Sequence, residues 1–370
     1  MEGLVKLYEM WEITNKNNLL EFTGYEDVFE DLKLFTNERY NKDPEKVTEE
    51  IFNIYRSINI VPITYFSQKG IENKIRELRL SIPNRIKDNI LGLGNNKGQD
   101  LIRFLFPNMM TAEPKGRGSN SLKDRFYNNT KLKRAIKICF EHRTGNNLVK
   151  PTAIRRALEL VTGENIQNFK AFNARSIVEE LCPIFNGKVY DYSAGYGGRM
   201  LGTCISRMQY EYICVEPNTE TVKYLKHLSN FLRSNIEINC TVSEEYKPQN
   251  IDLAFSSPPY FNLEKYCDES TQCMVKYNTL DEWFEGYVEP TMQNIYNGLN
   301  TDGVFATNIA NYKTPKEEFK IVDRWIATAK KIGFNYNKLI KMLLITRPGV
   351  GNFRKEGKTE KYEGIYVFTK

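Results

Sequence analysis

The spacing of apolar residues divides the chain into a helical first part and a second part in which strands alternate with helices. In the first part, apolar residues recur three or four positions apart, which is the period of a helix, after Pro44 and again across residues 69–79. Prolines and glycines punctuate this region. We therefore predict that residues 1–165 form a mainly helical domain.

Residues 166–370 carry short apolar runs typical of buried strands, separated by segments with helical spacing. The predicted strands are 189–190, 212–215, 236–242, 251–255, 303–309, 339–345 and 364–368. The predicted helices are 176–181, 200–205, 219–232, 280–299 and 316–331. Strands that alternate with helices in this way predict a Rossmann-like α/β domain with a mostly parallel sheet.

The strand predicted at 251–255 ends abruptly, and the sequence Ser257-Pro258-Pro259-Tyr260 follows it closely. Two prolines cannot continue a strand, so they fix the backbone and leave carbonyl oxygens unpaired beside an aromatic ring. In an open α/β sheet, ligands bind at the carboxyl ends of the strands. This tetrapeptide is therefore either a proline-stiffened turn or part of a functional site.

A second candidate motif follows the first predicted strand of this domain, where Asp191 precedes a glycine-rich turn that opens a helix. The small residues Ser193, Ala194, Gly195 and Gly197 let a ligand approach the backbone beside the helix N-terminus. The turn matches neither the G-x-G-x-x-G fingerprint of dinucleotide sites nor a Walker A loop. By itself it predicts a cofactor site without identifying the cofactor.

The next predicted strand ends in Glu216-Pro217, about twenty residues further along the chain. A carboxylate at the end of the second strand of such a unit commonly accepts hydrogen bonds from ribose hydroxyl groups. Glu216 and Pro217 are therefore candidate contacts of a cofactor that contains a nucleoside.

Together, the loop at 191–199 and the tetrapeptide at 257–260 resemble the two signature motifs of class I S-adenosylmethionine-dependent amino-methyltransferases of DNA. The resemblance covers roughly residues 165–370, and the residues of the two motifs look especially like those of phage and bacterial DNA methylases. The sequence departs from the family at Tyr192 and Ser193, where the family often has proline and an aromatic residue. The resemblance implies a class I methyltransferase sheet that ends in an antiparallel hairpin.

The resemblance also implies S-adenosylmethionine as the cofactor and a catalytic role for Ser257, Pro258, Pro259 and Tyr260. It adds an aromatic residue before the first strand and a polar residue after the third as further cofactor contacts. The implied cofactor contacts are Phe172, Asp191, Ser193, Ala194, Gly195, Gly197, Glu216, Pro217 and Glu244. No metal is expected, since a sulfonium is a good leaving group and the chain has only two histidines.

The implied chemistry is methylation of an exocyclic amino group of a base. Its nitrogen is a poor nucleophile, because its lone pair is delocalised into the ring. Acceptors at the Ser257 oxygen and the Pro258 carbonyl would favour a pyramidal nitrogen and stabilise the developing positive charge. The target atom is unreachable inside a stacked duplex, so the base must be flipped out, and Tyr260 offers it a stacking face.

Basic residues are concentrated in one segment of the first part. Residues 115–156 contain twelve Lys or Arg and two carboxylates, a net charge of +10, whereas the whole chain carries +6. This density is typical of nucleic-acid binding, and the alternative is a solvated helix face. The candidate contacts are Lys115, Arg117, Lys123, Arg125, Lys131, Lys133, Arg134 and Lys137. A polar loop at 346–362 adds Arg354 and Lys355, either as a hairpin tip or as a DNA contact.

We predict methyl transfer to the exocyclic amino group of a flipped-out base in double-stranded DNA, with residues 1–165 recognising the sequence. Serine in the first position of the tetrapeptide favours cytosine N4 slightly over adenine N6. The alternatives are methylation of RNA or of a protein glutamine by the same core, and a catalytically silent protein that binds nucleic acid. The target sequence, a restriction partner and the oligomeric state stay open.

Cysteine usage and hydropathy indicate where the protein works. Seven cysteines, an odd number without closely spaced pairs, are expected to be reduced. No stretch approaches the roughly 18 apolar residues that a membrane span needs, and the N-terminus lacks the pattern of a signal peptide. We expect a cytoplasmic protein of a bacterium or of a phage-infected host, active in restriction–modification or in phage DNA modification.

Overall fold

The computed structural model describes residues 32–58, 61–114, 119–142, 148–162, 166–313, 317–344 and 361–370. Its α-helices are α1 (Asn37–Lys42), α2 (Pro44–Ile58), α3 (Gln68–Leu80), α4 (Gln99–Leu105), α5 (Leu122–Tyr127), α6 (Asn129–Glu141), α7 (Pro151–Thr162), α8 (Ala171–Leu181), α9 (Gly198–Cys204), α10 (Thr219–Ser229), α11 (Cys273–Lys276), α12 (Leu280–Trp283), α13 (Glu289–Gly298) and α14 (Ile321–Ile332). Its strands are β1 (Ile86–Lys87), β2 (Ile90–Leu91), β3 (Lys188–Asp191), β4 (Glu211–Val215), β5 (Ile236–Asn239), β6 (Ile251–Ser256), β7 (Leu299–Asn308), β8 (Tyr312–Lys313), β9 (Glu318–Phe319), β10 (Asn335–Leu343) and β11 (Tyr362–Thr369).

These elements form two compact units. The first unit consists of residues 1–73 and 106–167, and the second consists of residues 74–105 and 168–370. The second unit includes a segment that the predicted division into 1–165 and 166–370 assigns to the N-terminal domain. The reason is β2, which pairs in parallel with β10 and so extends the sheet of the second unit. A strand of two residues is too short to leave a periodic pattern in the sequence.

The first unit is built from helices, as predicted. α2 begins where the sequence indicates, since Asp43 Oδ1 accepts a hydrogen bond from the Lys46 amide at 3.1 Å. α6 packs against both α2 and α7. Ile51 of α2 and Ile136 of α6, which lie on the apolar stripes of their helices, are fully buried. The amphipathic pattern thus places the core of this unit correctly.

The second unit is organised around a nine-stranded sheet in the order β1-β2-β10-β11-β7-β6-β3-β4-β5. The strands from β5 through β4, β3 and β6 to β7 are parallel to their neighbours. β11 is antiparallel to both β7 and β10. The predicted Rossmann-like α/β fold with a C-terminal antiparallel hairpin is therefore confirmed.

The strand order reverses at β3. The chain continues from β3 to β4 and β5 on one side and then returns to β6 and β7 on the other. β3 and β6 are therefore neighbours although they are far apart in sequence, with Val189 paired to Leu253. In open α/β sheets, ligands bind at the carboxyl ends of the strands at such a switch point. Both candidate motifs follow these two strands.

Several predicted helices differ from the structure in their bounds, and α8, for example, begins at Ala171 and not at residue 176. α14 begins at Ile321 and not at residue 316, because the preceding residues form β9, which pairs with β8. The helix predicted at 280–299 is a succession of α12, a π-helical turn (Phe284–Val288) and α13, and Leu299 already belongs to β7.

In the part of the chain that the structure describes, no helix has the length and apolar character needed to span a membrane. Across the same residues, no group of three or more His, Cys, Asp or Glu side chains could hold a metal ion.

Candidate active site

Asp191 ends β3 and is the hydrogen-bonding centre of the site, with only 1% of its surface exposed. Its Oδ2 accepts hydrogen bonds from Arg199 Nε at 2.8 Å and from the Tyr212 hydroxyl at 2.7 Å. Its Oδ1 accepts from Ser256 Oγ at 2.7 Å and from the Ser193 amide at 3.2 Å. Four donors satisfy the carboxylate, and these hydrogen bonds hold the glycine-rich loop against β3 and β6.

The glycine-rich loop has a backbone conformation that suits residues without a Cβ. Gly195 has a φ of +54°, and Gly197, the N-cap of α9, has a φ of +68°. A Cβ at Gly198 would lie 2.0 Å from the Phe169 carbonyl oxygen, so this glycine lets the segment before α8 approach α9 closely. A Cβ at Gly195 would meet nothing nearer than the Ser193 carbonyl oxygen at 3.9 Å. The loop therefore has space for a ligand at Gly195.

Glu216 follows β4 and connects the end of that strand to the loop. Its Oε2 accepts a hydrogen bond from the Gly195 amide at 2.8 Å, and its Oε1 accepts one from the Asn218 amide at 2.9 Å. Burial raises the pKa of Glu216 to about 7, and the two amide hydrogen bonds oppose this rise. Each oxygen keeps a further lone pair, so the carboxylate can accept from a ligand with neighbouring hydroxyl groups.

The other predicted residues of the loop lie at the same edge of the sheet. The Ala194 amide donates to the Val215 carbonyl at 3.0 Å, which holds the loop over the end of β4. Ser193 Oγ lies 3.0 Å from the Tyr287 hydroxyl. The structure thus brings together Asp191, Ser193, Ala194, Gly195, Gly197, Glu216 and Pro217 at the carboxyl ends of β3 and β4.

The tetrapeptide Ser257-Pro258-Pro259-Tyr260 follows β6 directly. Ser257 Oγ donates to Asn308 Oδ1 at 3.3 Å, and the Tyr260 hydroxyl donates to the Asn308 carbonyl at 3.4 Å. Pro258 is buried, whereas the other three residues are partly exposed. A single residue at the end of β7 therefore contacts both ends of the tetrapeptide.

Asn308 is a functional candidate that sequence reasoning missed. It is 3% exposed, and its Nδ2 donates to the Gly364 carbonyl of β11 at 3.0 Å. The available signal was a polar residue at the end of the mainly apolar run 303–308, next to the strand that carries the tetrapeptide. Nothing in the sequence indicates that Ser257 and Gly364 are its partners.

One face of the Tyr260 ring is already covered. Tyr312 of β8 stacks on it with ring centroids 6.0 Å apart, and Phe319 of β9 stacks on Tyr312 at 4.8 Å. The Tyr312 hydroxyl donates to Asn262 Oδ1 at 2.9 Å, which fixes the position of this ring. Phe261, next to Tyr260, has a φ of +31°, a conformation that side-chain-bearing residues adopt rarely and often at functional sites. A planar ligand that stacks on Tyr260 would therefore have to use the opposite face of the ring.

Two carboxylates near Tyr260, Glu264 and Glu363, were also not predicted. Burial raises the pKa of Glu264 to about 7, a hydrogen bond from the Tyr266 hydroxyl (2.5 Å) lowers it, and Glu363 raises it further. Burial likewise raises the pKa of Glu363, and nearby Lys170 lowers it. Two buried carboxyl groups with raised pKa values therefore lie near Tyr260.

Two predicted cofactor contacts lie in packed surroundings. Phe172 of α8 is 2% exposed and packs in the core, and its role as a cofactor contact stays a prediction. Glu244, beyond the end of β5, accepts hydrogen bonds at Oε1 from Lys276 Nζ at 2.7 Å and from the Tyr277 hydroxyl at 2.9 Å. That oxygen is engaged within the protein, and the role of Glu244 toward an adenine ring stays a prediction.

The predicted nucleic-acid contacts that the structure describes lie on α5 and α6 of the first unit. Arg125 is 1% exposed and donates to the carbonyls of Ser121 and Leu158, both at 3.2 Å. It is a buried structural residue, which corrects its prediction as a nucleic-acid contact. Lys123 and Lys131 are partly exposed. Four further candidates lie outside the described residues: Lys115, Arg117, Arg354 and Lys355.

Three cations of α6 form ion pairs with carboxylates at 2.5–2.6 Å. The pairs are Lys133 with Glu49, Arg134 with Glu141, and Lys137 with Glu45. Glu45 and Glu49 belong to α2, so this helix partly neutralises the basic surface that the sequence predicts. A phosphate backbone would have to compete with these glutamates.

No family model and no curated protein matches the sequence. Among solved structures, the chain is similar to a TehB-like SAM-dependent methyltransferase from Corynebacterium glutamicum, with 13% identity over 59% of this chain and 96% of that one and a TM-score of 0.35. It is similar to a SAM-dependent O-methyltransferase from Thermotoga maritima, with 13% identity over 57% and 69% of the two chains and a TM-score of 0.35. It is also similar to a methyltransferase from Pyrococcus furiosus, with 14% identity over 58% and 93% and a TM-score of 0.35. At these identities and TM-scores, the fold assignment rests on the strand order and registers.

Proposed function

We propose that the second unit is an S-adenosylmethionine-dependent methyltransferase that acts on the exocyclic amino group of a base in DNA. The observation that carries the proposal is the hydrogen bond from Ser256 to Asp191, at 2.7 Å. It joins the strand that leads into Ser-Pro-Pro-Tyr to the glycine-rich loop, at the switch point of the sheet. A cofactor loop and an acceptor site for an amino group would thus share one crevice.

The residues around the loop fit a cofactor that contains a nucleoside. Gly195 leaves space beside the backbone, and Glu216 has acceptor capacity for two neighbouring hydroxyl groups. S-adenosylmethionine would be held by Ser193–Gly197 and by Glu216, and it supplies a methyl group activated on a sulfonium. Asp191 would keep the loop in its binding conformation through its four internal hydrogen bonds.

The tetrapeptide would hold the target base. The Ser257 oxygen and the Pro258 carbonyl accept the two amino hydrogens, so the nitrogen becomes pyramidal and its lone pair is freed from the ring. Tyr260 stacks on the base with the face that Tyr312 leaves free. When ionised, Glu264 and Glu363 would favour the positive charge that develops on the nitrogen.

DNA is the substrate that the first position of the tetrapeptide and the basic α6 favour. With serine in this position, cytosine N4 is proposed before adenine N6. Recognition of the DNA sequence would belong to residues 1–165, whose cations on α5 and α6 include Lys123 and Lys131. The target nucleotide would be flipped out of the duplex, because its amino nitrogen cannot be reached inside the stack.

Expression in cells that lack DNA methylation tests the proposal. DNA and RNA from these cells are digested to nucleosides, and methylated nucleosides are measured by mass spectrometry. We expect N4-methylcytosine in the DNA, with N6-methyladenine as the second candidate, and neither in cells that express the Ser257→Ala, Tyr260→Ala double variant. Methylation confined to RNA would assign the activity to RNA instead of DNA. A purified protein without affinity for S-adenosylmethionine would refute the proposal.

A further inference from the structure

We infer that Asn308 is a positioning residue that turns the Ser257 hydroxyl into an acceptor for the target amino group. The inference rests on the proposed function, and it goes beyond the tetrapeptide because Asn308 belongs to a different strand. The relevant contacts are the hydrogen bonds of Asn308 with Ser257 and with Gly364.

The orientation of the Asn308 amide follows from its partners. Its Nδ2 donates to the Gly364 carbonyl at 3.0 Å, and a carbonyl oxygen can only accept. The other end of the amide, Oδ1, therefore points to Ser257, whose Oγ lies 3.3 Å away. Since Oδ1 can only accept, the proton between the two side chains belongs to Ser257.

A hydroxyl group has one proton and two lone pairs, so the direction of the proton decides what the group offers to a ligand. If the Ser257 proton pointed at the bound base, it would oppose the amino hydrogens. Because Asn308 accepts that proton, both lone pairs of Ser257 stay available for an amino hydrogen. The neutral side chain of serine thus becomes an acceptor without losing its proton.

Asn308 is also well placed to keep this geometry. It is 3% exposed at the end of β7, and it pairs with Ile365 of β11 in the sheet. Its own carbonyl accepts the Tyr260 hydroxyl at 3.4 Å, so the same residue contacts the acceptor and the stacking residue. Functional groups on regular, buried elements are held more firmly than groups on loops.

A double-mutant cycle between Asn308 and Ser257 tests the inference. Purified full-length Asn308→Ala, Ser257→Ala and the double variant are compared with the wild type, with tritiated S-adenosylmethionine and genomic DNA from methylation-free cells. We expect Asn308→Ala to lower kcat by about five- to tenfold, as for the loss of one hydrogen bond, with the KM for the cofactor unchanged. In the Ser257→Ala background the same change should have no further effect, because the hydroxyl it orients is gone.

Asn308→Asp is the matched variant. When protonated, its carboxyl group can donate to Gly364 and accept from Ser257, which reproduces the pattern of the amide; when ionised, it loses the donor. In both forms the carboxyl group still accepts the Ser257 proton, so the kcat of Asn308→Asp should stay closer to the wild type than that of Asn308→Ala, at low and at high pH.

Thermal unfolding and calorimetric cofactor binding check that each variant is folded. Losses that multiply in the double variant, or an Asn308→Asp variant that loses as much kcat as Asn308→Ala, would overturn the inference. A wild-type protein that transfers no methyl group would refute the proposed function itself.

Discussion

Ser256 donates a hydrogen bond to Asp191 across the neighbouring strands β6 and β3, with 2.7 Å between Oγ and Oδ1. Ser256 is completely buried, and its Oγ also lies 3.4 Å from the Ser193 carbonyl oxygen. The next residue, Ser257, begins the tetrapeptide, whereas Asp191 leads into the glycine-rich loop. The two candidate motifs are therefore parts of one hydrogen-bonded structure, and a change at Asp191 should affect both.

Asp191→Ala should destabilise the fold as well as weaken cofactor binding. The change leaves the buried Arg199 guanidinium, 2.8 Å from Asp191 Oδ2, without its counterion. Loss of one partner of a buried ion pair costs about 3–5 kcal/mol of unfolding free energy. Denaturant unfolding measures this cost, and Asp302→Ala, which removes an exposed carboxylate of β7, is the control with little expected effect. Equal midpoints for the two variants would show that the Asp191 network is dispensable.

Affinity for S-adenosylmethionine should rise with pH through the pKa of Glu216, which burial raises to about 7. Hydroxyl donors favour the ionised carboxylate, so the protonated form must first lose its proton for binding. The ionised fraction for a pKa of 7 predicts a gain of about tenfold in affinity between pH 6 and pH 8. Calorimetry at the two pH values measures it.

Glu216→Gln should bind the cofactor more weakly and without this pH dependence. Glu264→Gln is the matched control, since burial raises the pKa of Glu264 to about 7 as well, and it should keep the pH dependence of the wild type. If Glu264→Gln lost the pH dependence and Glu216→Gln kept it, the cofactor hydroxyl groups would not bind Glu216.

The candidate-site residues that were predicted from the sequence are each recognisable from the residue types of their own segment. Gly195 and Gly197 have positive φ, the two prolines end β6, and Glu216 follows an apolar run, so each leaves a mark on its own segment of sequence. The parallel sheet then brings these segments together, because strands that alternate with helices place their carboxyl ends at one edge. Local residue types and the order of strands and helices along the chain were therefore sufficient to predict these residues of the candidate site.

The partners of these residues could not be predicted, because they come from distant segments. Asp191 was expected to contact the cofactor, but its oxygens are occupied by Arg199, Tyr212, Ser256 and Ser193. Sequence periodicity says which residues are buried, and it does not say which polar groups meet inside the core. The same holds for the lysines of α6, whose charge is evident in the sequence, whereas the glutamates of α2 that pair with them are not.

Replacement of Lys131, Lys133, Arg134 and Lys137 by alanine should weaken DNA binding and reduce its salt dependence. If all four contact phosphates, the slope of log K against log salt should fall in magnitude by about 3 to 4. The ion pairs with Glu45 and Glu49 make a smaller change the expected result, since those cations are already partly neutralised. Fluorescence anisotropy over a range of salt concentrations measures the slope.

The control for this prediction removes the same charge from exposed positions of α10 and α14. Its substitutions are Lys223→Ala, Lys226→Ala, Lys330→Ala and Lys331→Ala. An equal change of slope in both variants would mean that only net charge matters, and that α6 has no specific contact with DNA.

Ser257→Ala should lower turnover while cofactor affinity stays nearly intact. The serine oxygen stabilises the amino group mainly as charge develops on the nitrogen, and loss of one such preorganised group costs at most about 10²–10³-fold in kcat. Single-turnover methylation measures the rate, and calorimetry measures cofactor binding. A parallel loss of cofactor affinity would indicate that Ser257 acts on the loop through its neighbour Ser256 and not on the base.

Tyr260→Ala should weaken DNA binding, most clearly with duplex substrate. The ring stacks on a flipped-out base, and base–aromatic stacking contributes about 1–3 kcal/mol per base. A mispaired target costs less to flip, so the loss should be smaller with a mismatched substrate than with a fully paired one.

Tyr260→Phe is the matched control: it keeps the ring and its stacking on Tyr312, and it removes only the hydroxyl that donates to the Asn308 carbonyl at 3.4 Å. Dissociation constants for paired and mispaired DNA should therefore change little in Tyr260→Phe. If Tyr260→Phe and Tyr260→Ala lose the same DNA affinity, the effect comes from the hydroxyl group and its contact with β7. Tyr260 would then not stack on the base.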